Sequence, residues 1–424
     1  MSNLFEELSW RGMVYDATEG VRDVLAKERV TAYIGFDPTA SSLHARSLLT
    51  VMGLARLQRF GHAPIAIVGG GTGMIGDPSG KSQERVLLSR EQIDTNVAGI
   101  RDQLARFLDF DAAQNRARIV NNADWLGTID VLSFLRDVGK HFTVSYMLQK
   151  ESVSRRMESE EGISYTEFSY LVLQAYDFLQ LFDRCGCALQ MGGSDQWGNI
   201  TAGIDLIRRL RGKKAHGLVW PLMTTASGAK FGKTEAGAVW LDPNRTSPFK
   251  FYQFWLNTDD RDVVPYLKYF TFLDRGAIEA VEAAMGEAPE KREAQRLLAR
   301  EVTALVHGAE QVARAERASS VLFGEDIATL PADDVLAVFE DVPSAELAAS
   351  ALEGDGIGMV DLVSHAGLAA SRSDARRLVQ SGGVYVNNRR MSDPYGRVTR
   401  QQAIEGRLLV IRKGQKQNVL LRLT

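Results

Sequence analysis

The chain has 424 residues, of which 45% are hydrophobic and 24% are charged, and its formal net charge is −3. This composition is typical of a globular protein with two or three domains, and it excludes disordered, collagen-like and disulfide-rich chains. No run of about 18 apolar residues indicates a membrane span, and the N-terminus lacks the basic and apolar regions of a signal peptide. The spacing of Cys185 and Cys187 fits neither a zinc site nor a disulfide, which predicts reduced thiols in a cytoplasmic protein.

The first 220 residues alternate between strand-like and helix-like segments. Apolar runs predict the strands, and apolar residues at helical spacing predict the helices between them. The predicted strands are 30–36, 64–68 and 188–191, and the predicted helices are 47–60, 90–108, 132–138 and 168–182. This order predicts an α/β fold with a parallel sheet, whose ligands bind at the carboxyl ends of the strands.

The rest of the chain predicts an α-helical region and then a small α+β module. Helical patterns at 249–257 and 293–307 place a helical domain at 246–340. Residues 341–356 combine a proline, glycines and acidic residues, which predicts a linker. The module at 357–424 has 12 lysines and arginines against four acidic residues, and it contains two short helical patterns and strand patterns around 384–386 and 408–411. A basic module on an acidic body predicts a polyanionic partner for that module.

One glycine pattern favours a different class of enzyme. Gly71–Gly76 matches G-x-G-x-x-G, the fingerprint of nicotinamide-dependent oxidoreductases. The fingerprint should open a helix after the first strand, whereas this one follows the second strand and runs directly into Asp77-Pro78-Ser79-Gly80. We therefore discount this interpretation.

Three glycine-containing turns carry the stronger signal. Gly35–His44 follows the first strand with a carboxylate, hydroxyls, an imidazole and a helix start, which suit a phosphate and a ribose. Gln190–Asn199 follows a later strand, and its adjacent glycines allow the backbone to approach a ligand closely. Lys230–Thr234 places two lysines around a glycine, which suits a clamp on phosphates. Singly each turn is ambiguous, but together and in this order they predict a nucleotide site.

Together with a set on helix 168–182, these turns carry a resemblance. The matching segments are 33–39, 76–81, 168–170 with Gln174 and Asp177, 192–199 and 230–234. The chain thereby resembles the bacterial tyrosyl-tRNA synthetases, a family of class I aminoacyl-tRNA synthetases, over nearly its whole length. The resemblance implies a Rossmann-like catalytic domain at 1–245. It also implies tyrosine–tRNA ligase activity, in which tyrosine is activated by ATP and then transferred to tyrosine tRNA.

The resemblance also implies roles for individual residues. Tyr33 and Asp177 would bond the phenol hydroxyl of tyrosine, and Asp77, Tyr170 and Gln174 its ammonium group; Tyr170, Gln174 and Asp177 share one helix face. The residues expected at the ATP and pyrophosphate end are Asp37, Thr39, His44, Ser47, Lys81, Arg85, Gly192, Asp195, Gln196, Lys230, Lys233 and Thr234. ATP with Mg²⁺ is the expected substrate pair, with neither a metal site on the protein nor a tightly bound cofactor.

The chain departs from the family at one place. The family's His-Ile-Gly-His signature stands here as His44-Ala45-Arg46-Ser47, so that Arg46 replaces a glycine expected to lie beneath the adenine. A guanidinium there could block the base, swing out, or stack on it. We hypothesise weaker ATP binding, and this leaves open an alternative: a synthetase-like paralogue that binds tyrosine or RNA with impaired ATP use.

The basic module resembles a small RNA-binding domain first described in a ribosomal protein. The segments 371–379 and 382–387 carry this likeness, and Arg372, Arg376 and Arg377 are the residues expected to contact RNA phosphates. The family resemblance further implies a homodimer, with 134–138 as a candidate interface. The expected partners are therefore tyrosine tRNA, L-tyrosine, ATP and a second copy of the chain, in the cytoplasm.

Overall fold

The computed structural model describes residues 3–79, 88–158, 162–228, 231–234, 237–322, 327, 330–340, 342–414 and 417–424, with the backbone alone at 233, 234 and 322. The helices are α1 Leu4–Trp10, α2 Val21–Lys27, α3 Leu48–Arg59, α4 Arg90–Leu104, α5 Ala123–Leu126, α6 Val131–Asp137, α7 Val144–Leu148, α8 Glu151–Met157, α9 Tyr165–Cys185, α10 Trp197–Arg211, α11 Pro248–Leu256, α12 Asp260–Phe270, α13 Arg275–Glu287, α14 Glu293–His307, α15 Ala309–Leu322, α16 Ala332–Val338, α17 Met359–His365 and α18 Arg372–Gln380.

The strands are β1 Asp16–Ala17, β2 Thr31–Phe36, β3 Ala63–Val68, β4 Arg118–Asn121, β5 Cys187–Gly193, β6 His216–Trp220, β7 Lys233–Thr234, β8 Gly237–Ala238, β9 Ser344–Leu347, β10 Ile357–Gly358, β11 Val384–Val386, β12 Arg389–Met391, β13 Arg397–Val398, β14 Leu408–Lys413 and β15 Gln417–Leu423. The chain forms two compact units, Met1–Arg245 with Thr258–Leu298, and Thr246–Asn257 with Ala299–Thr424. No helix in the described ranges is both long and apolar enough to cross a membrane.

The first unit is built on the predicted parallel sheet. Its strand order is β1-β6-β5-β2-β3-β4, and all neighbouring strands are parallel except β1, which pairs antiparallel with β6. From β2 the chain adds β3 and β4 on one side, whereas β5 and β6 lie on the other. The strand order therefore reverses between β2 and β5, and this switch point is where sheets of this kind bind ligands.

Helix α9 is the longest packing element of this unit. The hydroxyl of Ser164 accepts a hydrogen bond from the Glu167 amide and caps its first turn, and Gly186 ends it in the left-handed conformation at φ 62°. Between these signals, Leu171, Ala175 and Phe178 are buried in a core formed with β2, β3 and α10. The helix is longer than the predicted 168–182 because both caps lie outside the apolar pattern.

Most predicted elements of the first unit are confirmed, with two kinds of difference. Helix α4 ends at Leu104 instead of 108, because the chain turns there while Leu108 remains buried and so continues the apolar spacing. The short strands β1, β4 and β6 were not predicted. Strand β4 is not predicted because it contains only two consecutive apolar residues, with an arginine before them and an asparagine after them.

Two arginines of the first unit fix the carboxyl end of α12. Arg11 Nη1 donates to the carbonyl of Lys268 at 2.7 Å, and Arg56 Nη2 donates to that of Thr271 at 2.7 Å. Both arginines are buried, and desolvation lowers the pKa of Arg56. Positive charge at this end of a helix also opposes the partial negative charge of its carbonyls. These hydrogen bonds therefore fix the position of α12 relative to α1 and α3.

The second unit contains an antiparallel sheet that is covered on both faces. Its order is β12-β11-β14-β15-β9, with β9 parallel to β15. Alternate residues of β14 enter different cores: Leu409 and Ile411 pack with α17 and α18, and Leu408 and Val410 pack with α15 and α16. The small α+β architecture expected for the C-terminal part is confirmed.

The segment 341–356, expected to be a linker, differs from that expectation. Residues 344–347 form β9 at the edge of the sheet, and Ala349–Leu352 form a short 3₁₀ helix. Leu347 and Leu352 are buried in the core of the second unit. The proline and glycines around this strand hid its two apolar anchors, so that the composition indicated a linker.

Candidate active site

The predicted site residues gather around the switch point of the parallel sheet. Asp37 directly follows β2, Gly192 lies in β5, and Asp195 lies in the short turn of helix that follows β5. Tyr170, Gln174 and Asp177 lie along α9, which packs on this part of the sheet. Three separate elements therefore bring side chains to one edge, as the carboxyl ends of parallel strands allow.

Asp177 is held in a buried hydrogen-bonded position. Its Oδ1 accepts a hydrogen bond from Trp125 Nε1 at 2.7 Å, and its Oδ2 accepts one from Asn122 Nδ2 at 2.9 Å. All three side chains are buried. Desolvation raises the pKa of Asp177 to about 7, and the two hydrogen bonds only partly oppose this rise. Ionising this carboxylate therefore costs free energy, and its two hydrogen bonds fix its orientation.

Tyr33 brings a second buried oxygen to the same region. Its side chain is 1% exposed, and its ring meets Phe178 edge to face, with centroids 5.2 Å apart. In the described part of the chain, no group forms a hydrogen bond with its buried hydroxyl. Burial and the charge of Asp177 raise the pKa of Tyr33, so the phenol remains protonated and able to donate. An unsatisfied buried hydroxyl is costly unless a ligand completes it.

A network of amides and a carboxylate forms the next part of the site. Asp77 is 7% exposed; its Oδ1 accepts from the Ser79 amide at 2.9 Å and its Oδ2 from Gln196 Nε2 at 2.8 Å. Gln196 Oε1 accepts from Gln174 Nε2 at 3.2 Å. Asn199 Nδ2 donates to Gln174 Oε1 at 3.0 Å and so closes the network. Two of the residues predicted to hold an ammonium group, Asp77 and Gln174, are thus connected through Gln196. The third, Tyr170, is buried on α9, one turn before Gln174.

The remaining predicted contacts lie at a more open end. Thr39 and Asp195 are exposed, and Asp37 is half-buried. His44 Nδ1 lies 3.2 Å from the hydroxyl of Ser47. Although the residue as a whole is exposed, neighbouring atoms desolvate the Asp195 carboxylate, and this desolvation together with the charge of Asp77 raises its pKa, whereas the charge of Arg46 acts in the opposite direction. This end therefore combines carboxylates, hydroxyls and an imidazole in contact with solvent.

Arg46 is turned toward the segment that follows residue 230. Its Nε and Nη2 atoms lie 3.3 Å and 3.2 Å from the carbonyl oxygen of Phe231. The sequence left open whether the guanidinium blocks the adenine, swings out or stacks on it. In the structure the side chain swings out and is hydrogen-bonded to the backbone of another segment.

Several predicted residues fall outside what the structure describes. Lys81, Arg85 and Lys230 are outside the described residues, and the side chains of Lys233 and Thr234 are likewise not described. The backbone of the last two forms β7, which pairs antiparallel with β8. The proposed roles of these five residues remain predictions.

The arginines predicted to contact RNA lie on α18 and are exposed. Arg372 forms an ion pair with Asp361 at 2.5 Å, and Arg377 forms one with Asp374. The guanidinium of Arg376 lies 5.5 Å from the ring centre of Tyr395, which is itself 76% exposed. An exposed aromatic ring beside arginines is a surface suited to phosphates and unstacked bases.

The sequence assigned no individual role to several residues of the site, among them Asn199, which closes the amide network. Asn122 and Trp125 hold Asp177, and Phe231 accepts the Arg46 hydrogen bonds. A signal for Asn122 existed, because it directly follows the carboxyl end of a strand, but the strand itself was missed. Trp125 had no local signal, since its partner lies 52 residues away in the chain.

The arrangement suits a small zwitterion with a hydroxyl at its far end. Gln174 and Asp177 are three residues apart on α9, which places them about 4.5 Å apart along the helix axis. One helix face thus connects the amide network to the buried pair Tyr33 and Asp177, which we call the phenol end of the site. Among the described residues, no group of three or more His, Cys, Asp or Glu side chains is arranged to hold a metal ion.

Comparisons with known proteins agree with this geometry. Residues 25–324 match the family model described as tRNA synthetases class I (W and Y), and residues 334–421 match that of the tyrosine–tRNA ligase SYY-like C-terminal domain. The chain is 58% identical to tyrosine–tRNA ligase of Roseiflexus castenholzii over 423 residues, with 100% of both chains covered. It is 54% identical to that of Geobacillus kaustophilus, with 99% of both covered.

A solved structure is also similar. The C-terminally truncated mitochondrial tyrosyl-tRNA synthetase of Aspergillus nidulans superposes with a TM-score of 0.70 at 31% sequence identity. The superposition covers 76% of this chain and 95% of that chain. The predicted catalytic fold, a parallel sheet with crossover helices, is thereby confirmed.

Proposed function

The chain belongs to the tyrosine–tRNA ligase family of class I tRNA synthetases, and from this premise we propose that it joins L-tyrosine to tyrosine tRNA. One observation carries the proposal. Helix α9 carries both Asp177, which lies near the buried Tyr33 hydroxyl, and Gln174, which belongs to the Asp77–Gln196–Gln174 network. The alternative, a paralogue with impaired ATP use, is not favoured, because relatives named as ligases match the chain over its full length.

The two parts of the pocket would divide the recognition of tyrosine. The hydroxyl of the substrate would bond Tyr33 and Asp177, and its ammonium group would bond Asp77, Tyr170 and Gln174. Phenylalanine would leave the buried Tyr33 hydroxyl without a partner and would offer Asp177 no hydrogen bond beyond those from Asn122 and Trp125. A buried polar group that loses its partner costs free energy. We therefore propose that the phenol end distinguishes tyrosine from phenylalanine.

The activation step needs positioning more than acid–base chemistry. The tyrosine carboxylate, already ionised, would attack the α-phosphorus of ATP, forming tyrosyl-adenylate and releasing pyrophosphate. Groups placed around the transferring phosphorus would stabilise the charge of this in-line displacement. We assign this role to Thr39, His44, Gln196, Lys81, Arg85, Lys230, Lys233 and Thr234. Asp37, Ser47, Gly192 and Asp195 would hold the nucleotide. Mg²⁺ would accompany the ATP phosphates.

The direct test is tyrosine-dependent exchange of labelled pyrophosphate into ATP by the purified full-length chain. We expect exchange with tyrosine and background exchange with phenylalanine. A folded protein that binds tyrosine but supports no exchange would contradict the proposal and revive the paralogue alternative. Asp183→Ala, which changes an exposed ion pair on α9, is a matched control that should leave exchange unchanged.

For the C-terminal module we propose binding of tyrosine tRNA through Arg372, Arg376 and Arg377. Deleting 357–424 would be a poor test, because it removes β15 from β9 and strips the partners of the α15 and α16 core. The triple change R372Q/R376Q/R377Q removes the charges, and we expect it to keep the fold because all three side chains are exposed.

We expect this triple variant to raise the Michaelis constant for tRNA and to lower the slope of log affinity against log salt by up to about three. Exchange without tRNA should not change. Arg300→Gln, an exposed arginine on α14, serves as the control. An unchanged salt slope, or an equal loss of exchange, would contradict RNA docking by these arginines.

We also propose a homodimer in the cytoplasm. Exposed apolar side chains lie close together in sequence on α6 and α7: Val131, Leu132, Leu135, Val144 and Leu148. Of the candidate interface 134–138, Leu135 is exposed, whereas Val138 is buried in the core. Exposed large apolar side chains that recur on two successive helices support an interaction surface in this region. The domain boundary at 245/246 remains part of the proposal. The boundaries at 340/341 and 356/357 do not, because 344–347 form β9 of the C-terminal sheet, and the predicted helical domain 246–340 is divided, with 258–298 in the first unit.

A further inference from the structure

The first turn of the site is joined by backbone hydrogen bonds to the segment from 231 to 241, of which the structure describes 231–234 and 237–241. The Ala45 amide donates to the Val239 carbonyl at 2.8 Å, and the Leu241 amide donates to the Leu43 carbonyl at 2.9 Å. His44 and Trp240 form an antiparallel bridge between these bonds. The Val239 amide in turn donates to the Gly232 carbonyl at 3.2 Å. The departure of the chain from the family signature, at 44–47, therefore lies directly against this segment.

Phe231 is fixed on its other side by aromatic packing. Its side chain is 1% exposed, with its ring stacked on Phe270 at 5.4 Å and edge to face with Tyr266 at 5.0 Å. Both partners belong to α12, whose carboxyl end is held by the two buried arginines. The ring thus anchors this residue, and its carbonyl oxygen faces the first turn, where Arg46 reaches it.

Gly232 allows this close approach. Its φ of 78° is in the left-handed region, and a Cβ there would lie 3.1 Å from the backbone nitrogen of Arg46. The two residues that follow, Lys233 and Thr234, form β7. The two hydrogen bonds from Arg46 therefore act at the start of the segment that carries the predicted phosphate contacts.

We propose that Arg46 is a positioning residue that holds the Phe231 carbonyl and so fixes the start of the 231–234 segment on the first turn before ATP binds. The inference rests on the proposed function, because its consequence is a rate of adenylate formation. It replaces the hypothesis that the guanidinium lies in the way of the adenine. A side chain bonded to another segment contributes preorganisation, which lowers the cost of ordering that segment in the transition state.

This role makes a different kinetic prediction from obstruction. Loss of a positioning contact should lower the turnover number and leave the Michaelis constant for tyrosine unchanged, since tyrosine would contact α9 and β2. Removal of an obstruction should lower the Michaelis constant for ATP and leave turnover unchanged. Because Arg46 is exposed, its substitution does not threaten the core.

The test compares Arg46→Met, Arg46→Gly and Arg46→Lys in the full-length chain. Methionine keeps much of the length without a donor, whereas lysine keeps one charged donor. We expect Met and Gly to reduce turnover in pyrophosphate exchange by about 1.5- to fivefold, the range that charged contacts at exposed sites contribute. Lysine should restore most of the turnover. Arg101→Met, an exposed arginine on α4, is the matched control.

A second readout does not depend on activity. Amide hydrogen exchange of the peptide 231–241, without any ligand, should be faster in the Met and Gly variants and close to wild type with lysine. A lower Michaelis constant for ATP with unchanged turnover and unchanged hydrogen exchange would overturn the inference in favour of obstruction. Unchanged values throughout would also overturn it. If the wild type itself supports no tyrosine-dependent exchange, the proposed function fails, and hydrogen exchange still decides whether Arg46 holds this segment.

Discussion

The two ends of the active site differ in how their side chains are held. At the phenol end, Tyr33 and Asp177 are buried, and Asp177 accepts hydrogen bonds from side chains of another element. At the nucleotide end, Thr39, Arg46 and Asp195 are exposed. A desolvated, fixed end suits selection of an amino acid, because a mismatched substrate leaves buried groups unpaired. An open end suits a ligand that must enter and whose pyrophosphate must leave.

The largest expected effect of this contrast is on the pH dependence of the free energy of unfolding. The pKa of Asp177 is about 7 in the folded protein and 3.8 for the unperturbed group. Between these values the folded state binds a proton that the unfolded state has lost, so stability falls as pH rises. For the wild type this loss should be roughly 3 kcal/mol between pH 5 and pH 8.

Asp177→Asn cannot ionise and should escape this loss. We therefore expect the free energy of unfolding of the variant, relative to wild type, to become more favourable by about 3 kcal/mol from pH 5 to pH 8. Urea denaturation at both pH values measures this difference, with Asp183→Asn on the same helix as the control. A difference that does not depend on pH would mean that desolvation at the phenol end is weaker than the geometry indicates.

The amide network is the next largest target. Asp77→Asn keeps the shape but removes the charge expected to face the substrate ammonium group. A charge-assisted hydrogen bond of this kind suggests a rise of roughly 10- to 150-fold in the Michaelis constant for tyrosine. The Michaelis constant for ATP should change little. Steady-state exchange kinetics at varied tyrosine and varied ATP measure both.

Ser79→Ala is the control for Asp77, because it removes the hydroxyl contacted by Asn199 and leaves the carboxylate in place. An equal rise in both Michaelis constants for Asp77→Asn would show that the network serves the two ends together. The contrast between a tyrosine end and a nucleotide end would then be wrong for this part of the site.

The sequence predicted the elements of the phenol end better than its contacts. The apolar runs of β2 and β3 and the pattern of α9 are local, so the sheet and the face carrying Gln174 and Asp177 could be inferred. Asn122 and Trp125 reach Asp177 only because β4 lies beyond β3 in the sheet. That placement depends on parallel pairing across more than 50 residues, which no local pattern reports.

The nucleotide end shows the opposite balance. Its motifs were visible in sequence, and so was the departure at Arg46, yet the sequence alone left three positions for the guanidinium. The direction of that side chain is decided by a carbonyl oxygen 185 residues away. That oxygen faces Arg46 because the ring of Phe231 is buried against α12. Motif identity was therefore predictable, but the orientation within the motif was not.

The smallest expected effect sharpens the comparison most directly. Tyr33→Phe removes one hydroxyl from a position that is 1% exposed and keeps the aromatic ring. The buried hydroxyl has no hydrogen-bond partner within the described chain, so its loss should affect bound tyrosine far more than the free protein. One neutral hydrogen bond predicts a fall of about 2- to 13-fold in the efficiency of tyrosine activation.

Discrimination against phenylalanine should fall as well, because the buried hydroxyl that phenylalanine leaves unpaired is gone. Tyr176→Phe is the matched control, because it removes a tyrosine hydroxyl from a residue on α9 whose ring packs against Phe134, with ring centres 5.9 Å apart. Exchange rates with each amino acid decide the outcome. If both variants behave alike, the Tyr33 hydroxyl has no special function, and selection of tyrosine must rest on Asp177 alone. If only Tyr33→Phe loses discrimination, the buried end selects the substrate with two oxygens, each placed by a different element of the fold.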